Sequence, residues 1–241
     1  MAKDIGYVMN YVTAYVTDKG KRNSNQDSLL IKNGEYFGKK CLLLAVADGV
    51  GGLSSGELAS GTVVNDLSEW FMKLISSGNE KSIEVIAKEI RDVLENSHIK
   101  INTYILNTGK QLGSTIVLLF ICGTDYVAIN VGDSRLYSYK DGICEQINID
   151  DSCGNHVLTQ CIGARQNMKP HEYRGMISIG MSFLLCSDGF YDKIEAKELD
   201  DILAIDRSKE DQMIELEKYK NVVLQREEKD NMTAVTLRIG K

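Results

Sequence analysis

Proline occurs once in this chain of 241 residues, at Pro170, and no Pro-, Gly- or Ser-rich linker divides it. The expectation is a single domain over residues 1–241. None of the six cysteines forms a Cys-x-x-Cys pair, so neither a disulfide framework nor a thiolate metal site of that spacing is expected. Cys41, Cys122 and Cys186 lie in apolar, strand-like runs and read as buried free thiols. Cys153 and Cys161 flank a loop and are expected nearer solvent. No apolar run is long enough to span a bilayer. The opening Met1-Ala2-Lys3-Asp4 carries no signal-peptide core, so a cytoplasmic protein without membrane contact is expected. Excess positive charge is also missing: the net charge is −6 and the pI about 5.2, which disfavours nucleic acid as a partner. What remains is an ordinary globular mix, 43% hydrophobic and 26% charged, sufficient for a sizeable core.

The most informative stretch that is present is Leu42 to Ala47, six apolar residues running into Asp48-Gly49-Val50-Gly51-Gly52. It reads as a buried strand delivering one carboxylate to a tight turn. Ala128 to Asp133 and Phe183 to Asp188 repeat the design, and Asp230-Asn231 precedes the apolar run Met232 to Ile239. A buried carboxylate is costly unless paired or bound to a cation. Several strands that each present an Asp at one tip predict one acidic site at a sheet edge, and an oxygen-rich site suits magnesium or manganese.

Periodicity supplies the elements. Strands are predicted over 7–16, 28–31, 41–47, 114–122, 126–131, 135–139, 143–147, 171–179, 182–187 and 232–239. Asn33-Gly34 reads as punctuation after the second, the four strands from 114 to 147 as a meander of neighbours, and Gly180 as the joint between the two strands that follow. Helical stripes run from about Ser54, with Glu57 completing a capping box, to Ser76, and from about Glu80 to Leu106. Helices return over 196–203 and 209–225. Strands and helices are segregated rather than alternating, which indicates an α+β layered sandwich.

Asp27, Asp48, Asp133, Asp188, Asp192 and Asp230 are the candidate carboxylates. Each alone has a bland reading as a turn residue. Together they cannot all ionise at close range without a compensating cation. Two divalent ions about 3.5–4 Å apart would meet that need, acidify a water and offset charge on a phosphoryl group. Arg22, near Asp27, is suited to hold phosphate oxygens bidentately, although a plain surface arginine is the alternative.

These residues resemble the metal-dependent protein phosphatases of the type 2C (PPM) family in their bacterial serine/threonine form. The matching segments are RNSNQD (22–27), ADGVGG (47–52), GSTIV (113–117), VGDSRLY (131–137), LTQCIG (158–163), LLCSDGFYD (184–192) and KDNMTAV (229–235). They fall in the family's order and cover nearly the whole chain. The resemblance implies a four-layer α-β-β-α sandwich of two antiparallel sheets flanked by helices, with Mn2+ or Mg2+ in a cleft at one end. It implies that Asp48 bridges two ions, that Gly49 offers its carbonyl, and that Asp188 and Asp230 complete the first position. Asp133 and Asp192, with Asp188, match a third position. Asp27 acts through a bound water, Arg22 clamps the substrate phosphate, and a metal-bridged hydroxide attacks the phosphoryl group of phosphoserine or phosphothreonine. Gly113, Ser114 and Thr115 read as a strand start near the cleft with a structural role.

Three departures stand against the family pattern. Gln26 replaces a carboxylate frequent in eukaryotic relatives. Val50 replaces a histidine proposed as general acid, so an imidazole cannot protonate the leaving group there. Asn148 to His156 reads as a shortened flap that leaves the cleft more open. His98, within the second helix, is expected to be structural or exposed, His171 to lie at a strand start, and His156 has no place in the site. The implied partners are phosphoproteins and a serine/threonine kinase whose work this enzyme reverses, with the chain acting as a monomer. The competing readings are a phosphatase dedicated to one regulatory protein and a non-catalytic module that holds a phosphoprotein.

Overall fold

The computed structural model describes residues 9–51, 55–153, 157–164, 168–204 and 208–240. In chain order the elements begin with β1 (Asn10–Asp18), β2 (Ser28–Tyr36), β3 (Lys39–Ala47), β4 (Gly49–Gly51), α1 (Gly56–Ile75) and α2 (Ile83–Thr108). Next come β5 (Leu112–Ser114), β6 (Ile116–Cys122), β7 (Asp125–Val131), β8 (Arg135–Lys140), β9 (Ile143–Gln146) and β10 (His171–Met176). The chain closes with β11 (Ser182–Cys186), α3 (Asp188–Tyr191), α4 (Ala196–Leu203), α5 (Lys209–Gln225) and β12 (Met232–Gly240).

Alternation along the central strands builds three cores. Even-numbered Leu42, Leu44 and Val46 of β3 join Val117, Leu119 and Ile121 of β6 and Val235, Leu237 and Ile239 of β12 between the sheets. Odd-numbered Cys41, Leu43, Ala45 and Ala47 face the other way, onto the apolar stripes of α1 and α2. Val16, Leu184, Cys186 and Ala234 pack outward onto α4 and α5. Both faces of each central strand are therefore buried, which is why these strands read as continuous apolar runs. The result is the expected α-β-β-α sandwich. One sheet has the order β1-β12-β11-β8-β9, the other β10-β7-β6-β3-β2, and all the paired strands are antiparallel. β4 and β5 form a small separate ribbon beside the end of β3.

Several expectations shift. The strands from 116 to 146 are not one meander: β6 and β7 pair in one sheet, β8 and β9 in the other. The crossing occurs at Gly132-Asp133-Ser134, where Gly132 has φ +101° and a Cβ would sit 2.7 Å from Thr115. Local alternation is blind to which sheet a strand joins, and it is this switch that turns Asp133 toward the sheet ends. β10 and β11 likewise belong to different sheets, with Gly180 in the connection at φ +89°. β2 continues through Asn33-Gly34 to Tyr36, because Gly34 leaves room for Ile75 of α1, whose atoms lie 3.0 Å from where a Cβ would be. The turn falls instead at Phe37-Gly38, both at positive φ. The first helix is preceded by Ser55, which makes no side-chain cap hydrogen bond; Ser54 of the expected capping box lies outside the described residues. α2 starts at Ile83 behind Ser82, whose hydroxyl accepts from the Val85 N–H, and stops at Gly109 in the left-handed region. Among the described residues no helix is long and apolar enough to cross a membrane.

Phe120 anchors the helical layer edge-on, its ring 5.7 Å from Trp70 and 6.4 Å from Phe71. It is fully buried. Replacing it by alanine is expected to destabilise the protein by about 3–5 kcal/mol, measured by urea unfolding, through lost burial and the cavity left behind.

Candidate active site

The tips of β3, β7, β11 and β12 open toward one end of the sandwich, and a different polar clamp holds the aspartate at each. Asp48 leaves β3 with its backbone fixed from both sides. Its N–H donates to Thr115 Oγ1 (3.0 Å), while its carbonyl accepts from the Thr115 N–H (2.9 Å) and the Ser114 hydroxyl (3.1 Å). Thr115 is held in turn by Ser134 Oγ at 2.7 Å, a link across the sheet switch. Gly49 is tightly enclosed: a Cβ there would lie 2.4 Å from the Gly56 backbone and 2.6 Å from the Gln26 carbonyl. The close approach of these three backbones requires glycine at 49.

Asp188 opens α3, a one-turn helix absent from the sequence expectation because four residues are too few to show a period. Its carboxyl shares a hydrogen bond with that of Asp48. Asp27 accepts from Ser187 Oγ at 2.8 Å, and its other oxygen, Oδ1, is buried with no hydrogen-bond partner among the described residues. Ser187 itself accepts from the Thr233 N–H, so one hydroxyl ties the Asp27 loop to β11 and β12. Asp133 is buried, and its carbonyl accepts from Tyr191 OH at 3.0 Å. The Tyr191 ring lies 3.7 Å under the Arg135 guanidinium, which grips Asp150 with three N–H contacts. Asp192 is exposed at the end of α3.

Asp230 is secured by its neighbour. Asn231 donates to the carbonyls of Lys19 (2.9 Å) and Ser24 (3.0 Å) and accepts from the Gln26 N–H (2.8 Å). Gly189 packs against it so closely that a Cβ would sit 2.2 Å from the Asn231 carbonyl. Asn231, Ser187 and Tyr191 are the positioning residues that the sequence reading missed; their only signal was adjacency to the aspartates. Arg22 reaches the same corner, but its guanidinium lies on Asp230, with contacts of 3.0 and 2.5 Å to the two carboxylate oxygens. Its side chain is 60% exposed, at the rim of the cleft.

The electrostatics follow from this crowding. Burial, then the neighbouring charges of Asp27, Asp188, Asp230 and Asp133, push the Asp48 carboxyl well above its ordinary value. Asp27 is raised to about 7, chiefly by burial, with the charges of Asp188 and Asp230 adding to it. Asp188 is raised by burial and by Asp230 and Asp192. Among the described residues no three His, Cys, Asp or Glu side chains converge into a finished ligand set. The donors are nonetheless all oxygen, mutually repelling, and include an unpartnered buried oxygen. That chemistry fits a hard divalent cation.

Other candidates stand apart from the acidic end. His98 is buried and accepts from the Gly163 N–H (3.1 Å), the structural one of its two expected readings, and His171 opens β10 as expected and meets Asp151 (2.8 Å). His156 lies outside the described residues. Cys41, Cys122 and Cys186 are buried, Cys153 is exposed and Cys161 half-buried, as read from the sequence.

The profile of the protein phosphatase 2C family matches residues 19–232. The chain belongs to the protein phosphatase 2C family. It is 27% identical over 215 residues to the serine/threonine phosphatase stp of Listeria welshimeri, covering 80% of this chain and 82% of that one. It superposes on PppA of Pseudomonas aeruginosa with a TM-score of 0.80 at 27% identity, covering 95% and 97% of the two chains. The catalytic domain of PstP, solved in complex with two manganese ions, gives a TM-score of 0.79 at 22% identity over 97% of this chain and 100% of that one, a likeness of fold. Phosphatases of the family are metal-dependent. The family membership and these relatives support the enzyme reading over the non-catalytic binding module.

The Asp27 shift gives a signed prediction. A carboxyl whose folded pKa is raised costs no stability below its unfolded pKa, costs more as pH rises from there to the folded value, and costs the full amount above it. With chelator present, Asp27→Asn is expected to melt several degrees above wild type at pH 8, and the gap should narrow as pH falls below 7 and close only near pH 4, where Asp27 is protonated in the folded and unfolded chain alike. A thermal melt series against pH checks this.

Proposed function

We propose that the acidic end of this sandwich hydrolyses phosphoserine and phosphothreonine in proteins, with manganese or magnesium as cofactor. The observation that carries the reading is the gathering of Asp27, Asp48, Asp188 and Asp230 in one electrostatic cluster with Arg22 at its rim. Asp48, the Gly49 carbonyl, Asp188 and Asp230 would hold the ions, with Asp133 and Asp192 extending the set and Asp27 acting at one remove. Divalent cations, if held there, would supply an acidified water and offset the charge of the phosphoryl group.

The chain's own residues do the rest. Arg22 presents a planar fork of N–H donors that fits carboxylate and phosphate alike, so a substrate phosphate competes with Asp230 for it. In this reading the guanidinium exchanges Asp230 for the phosphate and orients the phosphoryl group for in-line attack. Val50, one residue past Gly49, offers no proton, so protonation of the departing alkoxide does not come from that position. The Ser114–Thr115–Ser134 clamp keeps Asp48 from moving as charge changes beside it.

The shortened flap was expected at residues 148–156, of which 148–153 are described. Three side chains tie this segment to the sheets. Asn148 bridges Leu136 and Ser134, Asp150 holds Arg135, and Asp151 accepts from the Gly132 N–H and meets His171. Such anchoring suits a fixed cleft wall and an open approach for a folded phosphoprotein. A bacterial serine/threonine kinase is the natural opposing enzyme, and a cytoplasmic monomer the working form.

Phosphate release from a phosphothreonine peptide, with and without manganese, tests the reading. Wild type is expected to turn over only with metal. Asp188→Ala should lower the rate by roughly a hundredfold or more, since one carboxylate serves more than one ion position. Metal-independent turnover, or an active Asp188→Ala, would refute it.

A further inference from the structure

Away from the acidic end, two thiols face each other across the middle of a sheet. Cys41 is the third residue of β3 and Cys122 the last of β6, and the two are direct cross-strand partners in the antiparallel ladder. Their Sγ atoms are 2.7 Å apart, with Cys41 donating its S–H to Cys122. Directly opposed residues in an antiparallel pair have Cα atoms about 4.5–5.5 Å apart. That falls inside the range a disulfide spans, roughly 4.4–6.8 Å, so a bond needs no backbone movement.

The pair is buried but not sealed. Cys41 is 1% exposed and Cys122 8%. Cys122 forms part of the wall of a cavity of about 480 Å³ that is also lined by Lys39, Lys81, Ser82, Glu80 and Asp125. The cavity admits a small polar reagent to one sulfur while the other stays covered. The hydrogen bond from Cys41 lowers the Cys122 pKa and Lys39 lowers it further, whereas Cys41 is raised by the same bond and by burial. The reachable sulfur is thus also the better nucleophile.

We propose that Cys41 and Cys122 form a modification site: a dithiol that a small hydroperoxide, entering by this cavity, converts to an intramolecular disulfide. The Cys122 thiolate attacks one peroxide oxygen, the O–O bond breaks, and hydroxide leaves, giving a sulfenic acid at Cys122. Cys41 then attacks the Cys122 sulfur, the S–O bond breaks as the S–S bond forms, and a second hydroxide leaves. The two hydroxides take up the two thiol protons. Two thiols and one hydrogen peroxide give one disulfide and two waters, with both sulfurs oxidised and the peroxide reduced. A dithiol reductant reverses it by exchange.

The bond joins two neighbouring central strands and closes a loop that contains α1 and α2. It lies about 23 Å from Asp48, seven residues along β3 at roughly 3.3 Å each. Its effect is therefore a staple on the sheet rather than a change at the carboxylates. This inference is independent of the phosphatase reading.

The test treats the intact, metal-free protein with hydrogen peroxide, then denatures it in an alkylating agent and maps the peptides. The expected product is a Cys41–Cys122 cross-linked peptide that dithiothreitol abolishes. The melting temperature should rise by on the order of 10 °C, a rise absent from Cys122→Ser and reversed by reductant in wild type. Full alkylation of both thiols after peroxide treatment would overturn the proposal, as would over-oxidation of Cys122 with Cys41 left free. A bond that forms without moving the melting temperature would overturn the stapling role.

Discussion

Like charges held at short range in a partly dry cleft are the constraint on which this molecule turns. Asp27, Asp48 and Asp188 each sit where burial and neighbouring carboxylates disfavour ionisation. Left free, side chains in that position would swing apart into water. They stay because their backbones and partner groups are fixed by separate hydrogen-bond clamps, from Thr115, Ser187, Tyr191 and Asn231. The sandwich provides the rigid tips, the clamps provide the convergence, and a cation answers the repulsion that convergence creates.

Arg22 shows how delicate that balance is. In the proposed reading a guanidinium and a divalent ion on Asp230 would answer the same charge, and a phosphate would compete for the same guanidinium. One exposed side chain at the rim would then connect counter-charge and substrate recognition. In the proposed reading metal loading and Arg22 release would be coupled, because each would remove the reason for the other's alternative.

Much of this was legible in the residues. Six apolar positions before Asp48 announced a strand buried on both faces, and the segregated pattern of strands and helices gave the α+β class. The ordered motifs gave the family. What one-dimensional pattern could not carry was partnership across the fold. The sheet switch at Gly132 looks like any turn, yet it separates β7 from β8 and brings Asp133 within reach of the Asp48 charge. Gly34 looks like a turn and is a strand residue making room for Ile75. Asn231 looks like a polar residue before a strand and is the clip that ties the Lys19–Gln26 segment to β12. The Arg22–Asp230 pair spans most of the chain, so nothing local in the sequence reports it.

Calorimetric titration of manganese into the chelator-stripped protein at pH 6.5, repeated in buffers of different ionisation enthalpy, tests the central claim most directly. The account predicts that wild type binds manganese and releases protons as it does so, because carboxyls raised by burial and mutual repulsion must ionise to take up the ion. Asp48→Asn should lose the tightest binding and most of the proton release. Equal stoichiometry and affinity in the two proteins, with no protons released by either, would contradict it.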